Sequence, residues 1–154
     1  MKKFIITLIL ALVASLTFTA FAQVTYEKPT GKIYEYFGTG YATDLVLEHR
    51  IPSESYYLKV LADESSVDSS FFIFLGNGKT EALASLNAIK QMIMDSESGG
   101  FVRLDKKTWY ATTIGNVKAI HIVQEYNISG NWIMLNELES LIRGFTSNTL
   151  KSWS

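Results

Sequence analysis

The chain has 154 residues, of which 14 are lysine or arginine and 15 are aspartate or glutamate, and its formal net charge at pH 7 is −1. This balance does not supply the clustered basic residues on which binding to DNA, RNA or an anionic membrane surface depends, so no nucleic-acid partner is expected. The chain contains no cysteine, which excludes disulfides, thiol nucleophiles and thiolate metal sites. An exported chain of this kind must be stabilised by its core and not by crosslinks.

The first 22 residues have the layout of a secretory signal peptide. Lys2 and Lys3 precede an uncharged apolar stretch from Phe4 to Ala14, FIITLILALVA. The ending Ala20-Phe21-Ala22 places small residues at the two positions that a signal peptidase reads. The pattern predicts cleavage after Ala22, and the short basic start followed by Ile and Leu is typical of a bacterial protein.

Cleavage there leaves the 132 residues from Gln23 to Ser154, with 12 basic and 15 acidic residues, which suits one domain. The alternative is an uncleaved N-terminal anchor, because the segment from Phe4 to Ala22 is just long enough to span a bilayer. The polar residues Ser15, Thr17 and Thr19 and the small-residue ending favour cleavage. We therefore expect a periplasmic or secreted protein that has no stable membrane anchor after processing.

Alternating or wholly apolar segments predict the strands of the domain. They are Ile33–Phe37, Leu45–Arg50, Tyr56–Leu61, Phe71–Leu75, Phe101–Leu104, Thr108–Ile114, Lys118–Tyr126 and Asn131–Leu135. Because Phe71–Leu75 is apolar at every position, we expect it to be covered on both faces and central in the sheet. Gly115-Asn116 is a candidate hairpin turn.

Two helices are predicted. In Glu81–Asp95, the residues Ala82, Leu86, Ile89 and Ile93 fall on one stripe, and Thr80 is the candidate N-cap. The second helix starts at Asn136, which forms a capping-box pattern with Glu139, and stops after Arg143 at Gly144.

These elements predict a single α+β domain, with a mainly antiparallel sheet of five to seven strands and two helices packed on one face. The boundaries are residues 1–22 for the signal peptide, 23–145 for the domain and 146–154 for a loose polar C-terminal tail.

The stretch FFIFLGNGKTEAL, from Phe71, ends in Gly78-Lys79-Thr80 and invites comparison with a phosphate-binding loop. Such a loop needs a glycine five positions before Gly78, where this chain has Ile73 inside a strand. We interpret Gly76-Asn77-Gly78 as a tight strand-to-helix turn and Lys79 as an exposed lysine. No cofactor is predicted.

Three kinds of function stay open. His121 alternates with Ile120 and Ile122, which places it on an open sheet face, and no metal site is predicted from it or from the other histidine, His49. A small hydrolase that uses carboxylates or His121 is one alternative, although no Gly-x-Ser-x-Gly motif occurs. A carrier of a small apolar ligand, held in a cavity under a curved sheet, is another.

The favoured interpretation is a non-enzymatic binding module for a protein, a peptide or a glycan. Tyr34 and Tyr36 alternate with the more apolar Ile33 and Phe37, so we expect Ile33 and Phe37 to face the helices and both tyrosines to face outward. Trp109 joins them only if its strand is a neighbour in matching register. Aromatic rings on an open face can stack on a sugar or hold an extended peptide.

Overall fold

The structure is a computed structural model that describes residues 32–39, 44–61, 70–122 and 131–153. All of them belong to one compact unit, Gly31–Ser154. The predicted signal peptide and its cleavage site lie outside the described residues. Within the described ranges, no helix is both long enough and apolar enough to cross a membrane.

The described residues form nine strands and two α-helices. The strands are β1 Tyr34–Gly38, β2 Leu45–Arg50, β3 Ser55–Val60, β4 Phe71–Asn77, β5 Phe101–Leu104, β6 Lys107–Ile114, β7 Val117–His121, β8 Trp132–Met134 and β9 Lys151–Trp153. The helices are α1 Lys79–Asp95 and α2 Leu135–Ser147. A 3₁₀ turn at Ile51–Ser53 joins β2 to β3.

The strands divide into two antiparallel sheets, one of five strands in the order β4-β3-β2-β1-β9 and one of four in the order β5-β6-β7-β8. The predicted α+β class is confirmed, and the helices pack against the sheets. The sequence did not predict the division into two sheets, because the alternating pattern of a strand is the same whichever sheet the strand joins.

One apolar core is shared by both sheets and both helices. Leu47, Leu58 and Ile73 come from the five-stranded sheet, and Trp109 and Ile120 come from the four-stranded sheet. The two sheets approach each other where the ring centroids of Phe71 and Trp109 lie 6.3 Å apart. The strands that contribute to this core therefore have an inward face in it and an outward face.

Helix α1 contributes the stripe that its sequence predicts. Ala82, Leu86, Ile89 and Ile93 are its buried residues, none more than 5% exposed. Its C-terminal end is held by the four-stranded sheet, because Lys118 Nζ donates to the carbonyl oxygens of Met94 and Ser96. A cation at this position also complements the negative end of the helix dipole.

The position of β4 differs from the prediction. The strand lies at the edge of its sheet, not at the centre. Its inward residues Ile73 and Leu75 are in the core, whereas Phe72 is 39% exposed and Phe74 is 51% exposed. The uniformly apolar sequence therefore combines a core face with an outward face of aromatic rings.

Both helix starts also differ from the prediction. Helix α1 starts at Lys79 with Gly78 as its N-cap, so Thr80 lies within the first turn. Helix α2 starts at Leu135, and Asn136 Oδ1 accepts the backbone N–H of Glu137 from inside the helix.

The capping box predicted for α2 is replaced by a contact between helices. Glu139 Oε1 lies 3.2 Å from Lys90 Nζ on α1. Gly144 does not stop α2. It packs so closely against Leu150 that a Cβ there would collide with the leucine side chain, and the helix ends at Ser147, with Asn148 as its C-cap at a φ of 57°.

Within the described residues, parts of the predicted loose tail belong to two regular elements. Thr146 and Ser147 complete α2, and Lys151–Trp153 form β9, which pairs antiparallel with β1 through Phe37 and Ser152. Backbone hydrogen bonds place this strand, and the polar sequence around it contains no alternating signal by which to find it.

The glycine-rich stretch forms the predicted turn between β4 and α1. Gly76 has a φ of 134° and Gly78 a φ of 84°, which are values that favour glycine. A Cβ on Gly76 would lie 2.5 Å from Glu81 Cβ. Glu81 Oε2 accepts the backbone N–H of Asn77 at 2.8 Å, so the carboxylate closes the turn.

The hairpin predicted at Gly115-Asn116 is confirmed. Strands β6 and β7 pair through Ile114 and Val117, and Gly115 has a φ of 60°, as in a type II′ turn.

The shared core makes α1 the helix on which stability should depend most clearly. Leu86→Ala should lower the free energy of unfolding by about 2–5 kcal/mol, since the residue is fully buried and leaves a cavity. Lys90→Ala should cost less than about 1 kcal/mol, because it removes only a partly exposed ion pair. Urea unfolding of both variants measures the two costs, and equal costs would contradict the placement of the helix face.

Candidate functional site: the open face of the five-stranded sheet

The outward face of the five-stranded sheet carries a concentration of aromatic and cationic side chains. Strand register assigns its members, because Tyr36, Glu48, Tyr57 and Phe74 are cross-strand partners along one row from β1 to β4. We call this surface the tyrosine face. It comprises Tyr34, Tyr36, Glu48, Arg50, Tyr57, Lys59, Phe72 and Phe74.

The two tyrosines proposed from the sequence lie together on this face. Their ring centroids are 6.0 Å apart and the ring planes are tilted by 53°. Tyr34 is 47% exposed, and Tyr36 is partly buried. Phe37 packs on the core from the other side of β1, as expected, whereas Ile33 precedes the strand and is exposed.

A buried carboxylate organises the centre of the tyrosine face. Glu48 is only 4% exposed, and its Oε1 accepts a hydrogen bond from Arg50 Nε at 2.7 Å. The Arg50 guanidinium carbon lies 4.1 Å from the centroid of the Tyr57 ring, which is cation–π geometry. Partial burial, and then the negative charge of Glu48, raise the pKa of Tyr36, whose phenol donates a hydrogen bond to that carboxylate.

A second cation lies between rings of different strands. Lys59 Nζ is 5.4 Å from the ring centroid of Tyr36 and 5.5 Å from that of Phe72. The Tyr57 and Phe74 rings are 5.4 Å apart. With Arg50 and Lys59 against the single carboxylate Glu48, the tyrosine face has an excess of positive charge on a chain whose total charge is slightly negative.

Trp109 does not belong to this surface. It lies on β6 in the four-stranded sheet, is 1% exposed, and its Nε1 donates to the carbonyl oxygen of Leu104. The condition set from the sequence, a neighbouring strand in matching register, is not met. The alternation of β6 turns Trp109 into the core and its neighbour Tyr110 outward.

The outward face of the four-stranded sheet holds a second aromatic surface, which sequence reasoning missed. Cross-strand pairing aligns one ring from each strand, and we call this set the aromatic row: Phe101, Tyr110, His121 and Trp132. The successive centroid distances are 4.8, 5.7 and 4.2 Å. Alternation alone indicates that each ring points outward, but only the register shows that the four are adjacent.

His121 lies within this row between the rings of Tyr110 and Trp132. It stacks on Trp132, and Nδ1 is buried with no hydrogen-bond partner among the described residues. Burial lowers the pKa of His121, and a backbone hydrogen bond with Tyr110 acts in the opposite direction. The described part of the chain provides no cluster of three potential metal ligands.

Glu137 is a described carboxylate whose pKa differs from its ordinary value. Burial, and then the negative charge of Asp44, raise its pKa. It lies at the start of α2, whereas His121 lies in the aromatic row on the outward face of the four-stranded sheet.

Comparisons with models of protein families, with curated proteins and with solved structures gave no match for this chain. The tyrosine face and its contacts are then the features from which a function can be inferred.

The lowered pKa of His121 gives a pH-dependent contribution to stability. As the pH falls, the unfolded chain binds a proton at this histidine near the ordinary pKa of about 6.5, whereas the folded chain binds it only at a lower pH. The contribution of the neutral ring to the free energy of unfolding is therefore complete above that pH, and it is lost as the pH falls towards the lowered folded pKa. Urea unfolding of the native chain and of His121→Phe, which keeps a ring against Trp132, should therefore show the variant gaining relative stability from about pH 7.5 to about pH 5. A stability difference that is the same at both pH values would contradict this assignment.

Proposed function

We propose that this chain is an exported, non-enzymatic binding module whose tyrosine face holds an extended chain, either a glycan or a peptide, with acidic groups. The single observation that carries the proposal is the outward-facing ring pair of Tyr34, which is exposed, and Tyr36, which is partly buried, beside the cations of the same face. Among the described residues, no lysine or arginine is in cation–π contact with a ring of the aromatic row.

The rings suit a flat, extended partner. Tyr34 and Tyr36 follow one another along β1, so their 6.0 Å separation runs parallel to the strand and offers successive stacking positions. Tyrosine contributes a large contact area at a small cost in side-chain entropy. Stacking of this kind is worth on the order of 1 kcal/mol per ring.

The charges favour an acidic partner over a neutral one. Arg50 is fixed by Glu48 and by the Tyr57 ring, so its orientation is set before binding. Lys59 is placed over two rings without a carboxylate among its described contacts. A partner with carboxylate or sulfate groups would meet preorganised cations there, which reduces the entropy lost on binding.

Export is part of the proposal, and it rests on the N-terminal sequence. Intact-mass measurement of the protein from its native host should give the chain that starts at Gln23, because Ala20-Phe21-Ala22 has the form of a cleavage site. A mass that includes residues 1–22 would show instead that the apolar segment is retained.

The double variant Tyr34→Ala, Tyr36→Ala tests the tyrosine face. Binding would be titrated with alginate, with a polyglutamate peptide and with neutral dextran. We expect the native chain to bind at least one acidic polymer more tightly than dextran, and the double variant to lose about tenfold or more in affinity for it, since two stacking contacts are removed.

Phe101→Ala is the matched control, because it removes an exposed ring from the outward face of the other sheet. It should leave the affinity unchanged, and circular dichroism melts should show that both variants stay folded. Equal losses in the control and in the double variant, or no binding of any acidic polymer by the native chain, would refute the proposed role of this face.

A further inference from the structure

A small cavity opens where the end of α2, the start of α1 and the inward side of the five-stranded sheet meet. Its volume is about 180 Å³. Its walls include three aromatic rings, one leucine, one amide and one ammonium group: Phe37, Tyr56, Phe145, Leu150, Asn148 and Lys79. This cavity is separate from the tyrosine face, because Phe37 and Tyr56 point to the opposite side of the same sheet.

The aromatic wall is held in place by contacts with His49, which lies outside the cavity lining, and by contacts among the lining residues themselves. Tyr56 stacks on His49 with a centroid distance of 4.4 Å and an interplanar angle of 7°. The Tyr56 and Phe145 centroids are 5.4 Å apart. At Gly144 the backbone of α2 approaches Leu150 too closely for a Cβ, so the glycine fixes this leucine against the helix end. The rings therefore form a preorganised apolar surface.

Lys79 supplies the one cation of the lining. Its Nζ donates to Asn148 Oδ1 at 2.5 Å and lies 4.9 Å from the centroid of the Phe145 ring. Each ion pair formed by the described residues involves other side chains, so Lys79 has no carboxylate partner among them. The lysine expected from the sequence to be exposed thus lines the cavity, where no described carboxylate forms an ion pair with it.

We propose that this cavity binds a small aromatic carboxylate, with its ring against Phe37, Tyr56 and Phe145 and its carboxylate on Lys79 Nζ. The volume suits a single ring, since an apolar cavity of roughly 150 Å³ is large enough to bind benzene. A carboxylate would complete an ion pair at Lys79 and could also accept from the Asn148 amide, and such charge-assisted hydrogen bonds are the stronger kind. Two or more fused rings exceed the space.

The test compares three probes of one shape on the native chain: benzoate, neutral benzyl alcohol and cationic benzylamine. Isothermal titration should rank benzoate first and benzylamine last. Benzoate should shift the backbone amide resonances of Lys79, Phe145 and Leu150, which locates the site. Failure of all three probes to bind, or shifts that map elsewhere, would overturn the proposal.

The variant Lys79→Met keeps the apolar stem and removes the charge. It should weaken benzoate binding about tenfold while leaving benzyl alcohol unchanged. Lys90→Met is the matched control, because it removes a partly buried lysine of the same helix that pairs with Glu139 away from the cavity. If benzoate binds equally well to the native chain and to Lys79→Met, the ammonium group has no role in recognition and the proposed ligand class is wrong.

The double variant Tyr34→Ala, Tyr36→Ala separates this site from the tyrosine face. It should bind benzoate as the native chain does, since both tyrosines point away from the cavity. A loss of benzoate binding in that variant would contradict the independence of the two surfaces.

Discussion

Both sheets bury one face in the same apolar core, and this constraint determines which side chains lie on the outward faces of the two sheets. Without disulfides, the side chains of that core must supply the stabilisation, so the inward positions of every long strand are committed to packing. Period-two alternation then assigns every second residue to an outward face. Two aromatic surfaces result, one on each sheet, and neither is covered by α1 or α2 because both helices pack on the inward side.

Adjacent residues on one strand can therefore have opposite roles. Trp109 is a core residue whose indole N–H is satisfied by a backbone carbonyl, while Tyr110 is one of the rings on the outward face. In β4 the same separation explains an all-apolar sequence at a sheet edge, since Ile73 enters the core and Phe74 faces outward. Composition identifies such segments as strands, but when both faces are apolar it does not show which face is buried and which is exposed to solvent.

The cavity lies at the periphery of the same core. The ends of α1 and α2 meet the sheet there, and side chains around Gly144 do not fill the space completely. Lys79 illustrates how context changes the meaning of a motif. The Gly-Lys-Thr sequence suggests phosphate binding, yet the glycines form a tight turn closed by Glu81, and the lysine donates to Asn148 at the C-cap of the other helix.

Local periodicity in the sequence determined the class of the fold, the stripe of α1, the hairpin at Gly115-Asn116 and the outward placement of Tyr34 and Tyr36. These features depend on residues two to four positions apart, whose relative directions are fixed by the backbone of a strand or a helix. Only the tertiary structure decided that the strands form two sheets, that β9 returns to β1, that His121 lies between Tyr110 and Trp132, and that a cavity opens beside Lys79. Those outcomes depend on hydrogen bonds and packing between residues distant in the chain, and the side-chain pattern of a single strand contains no record of its partner or its register.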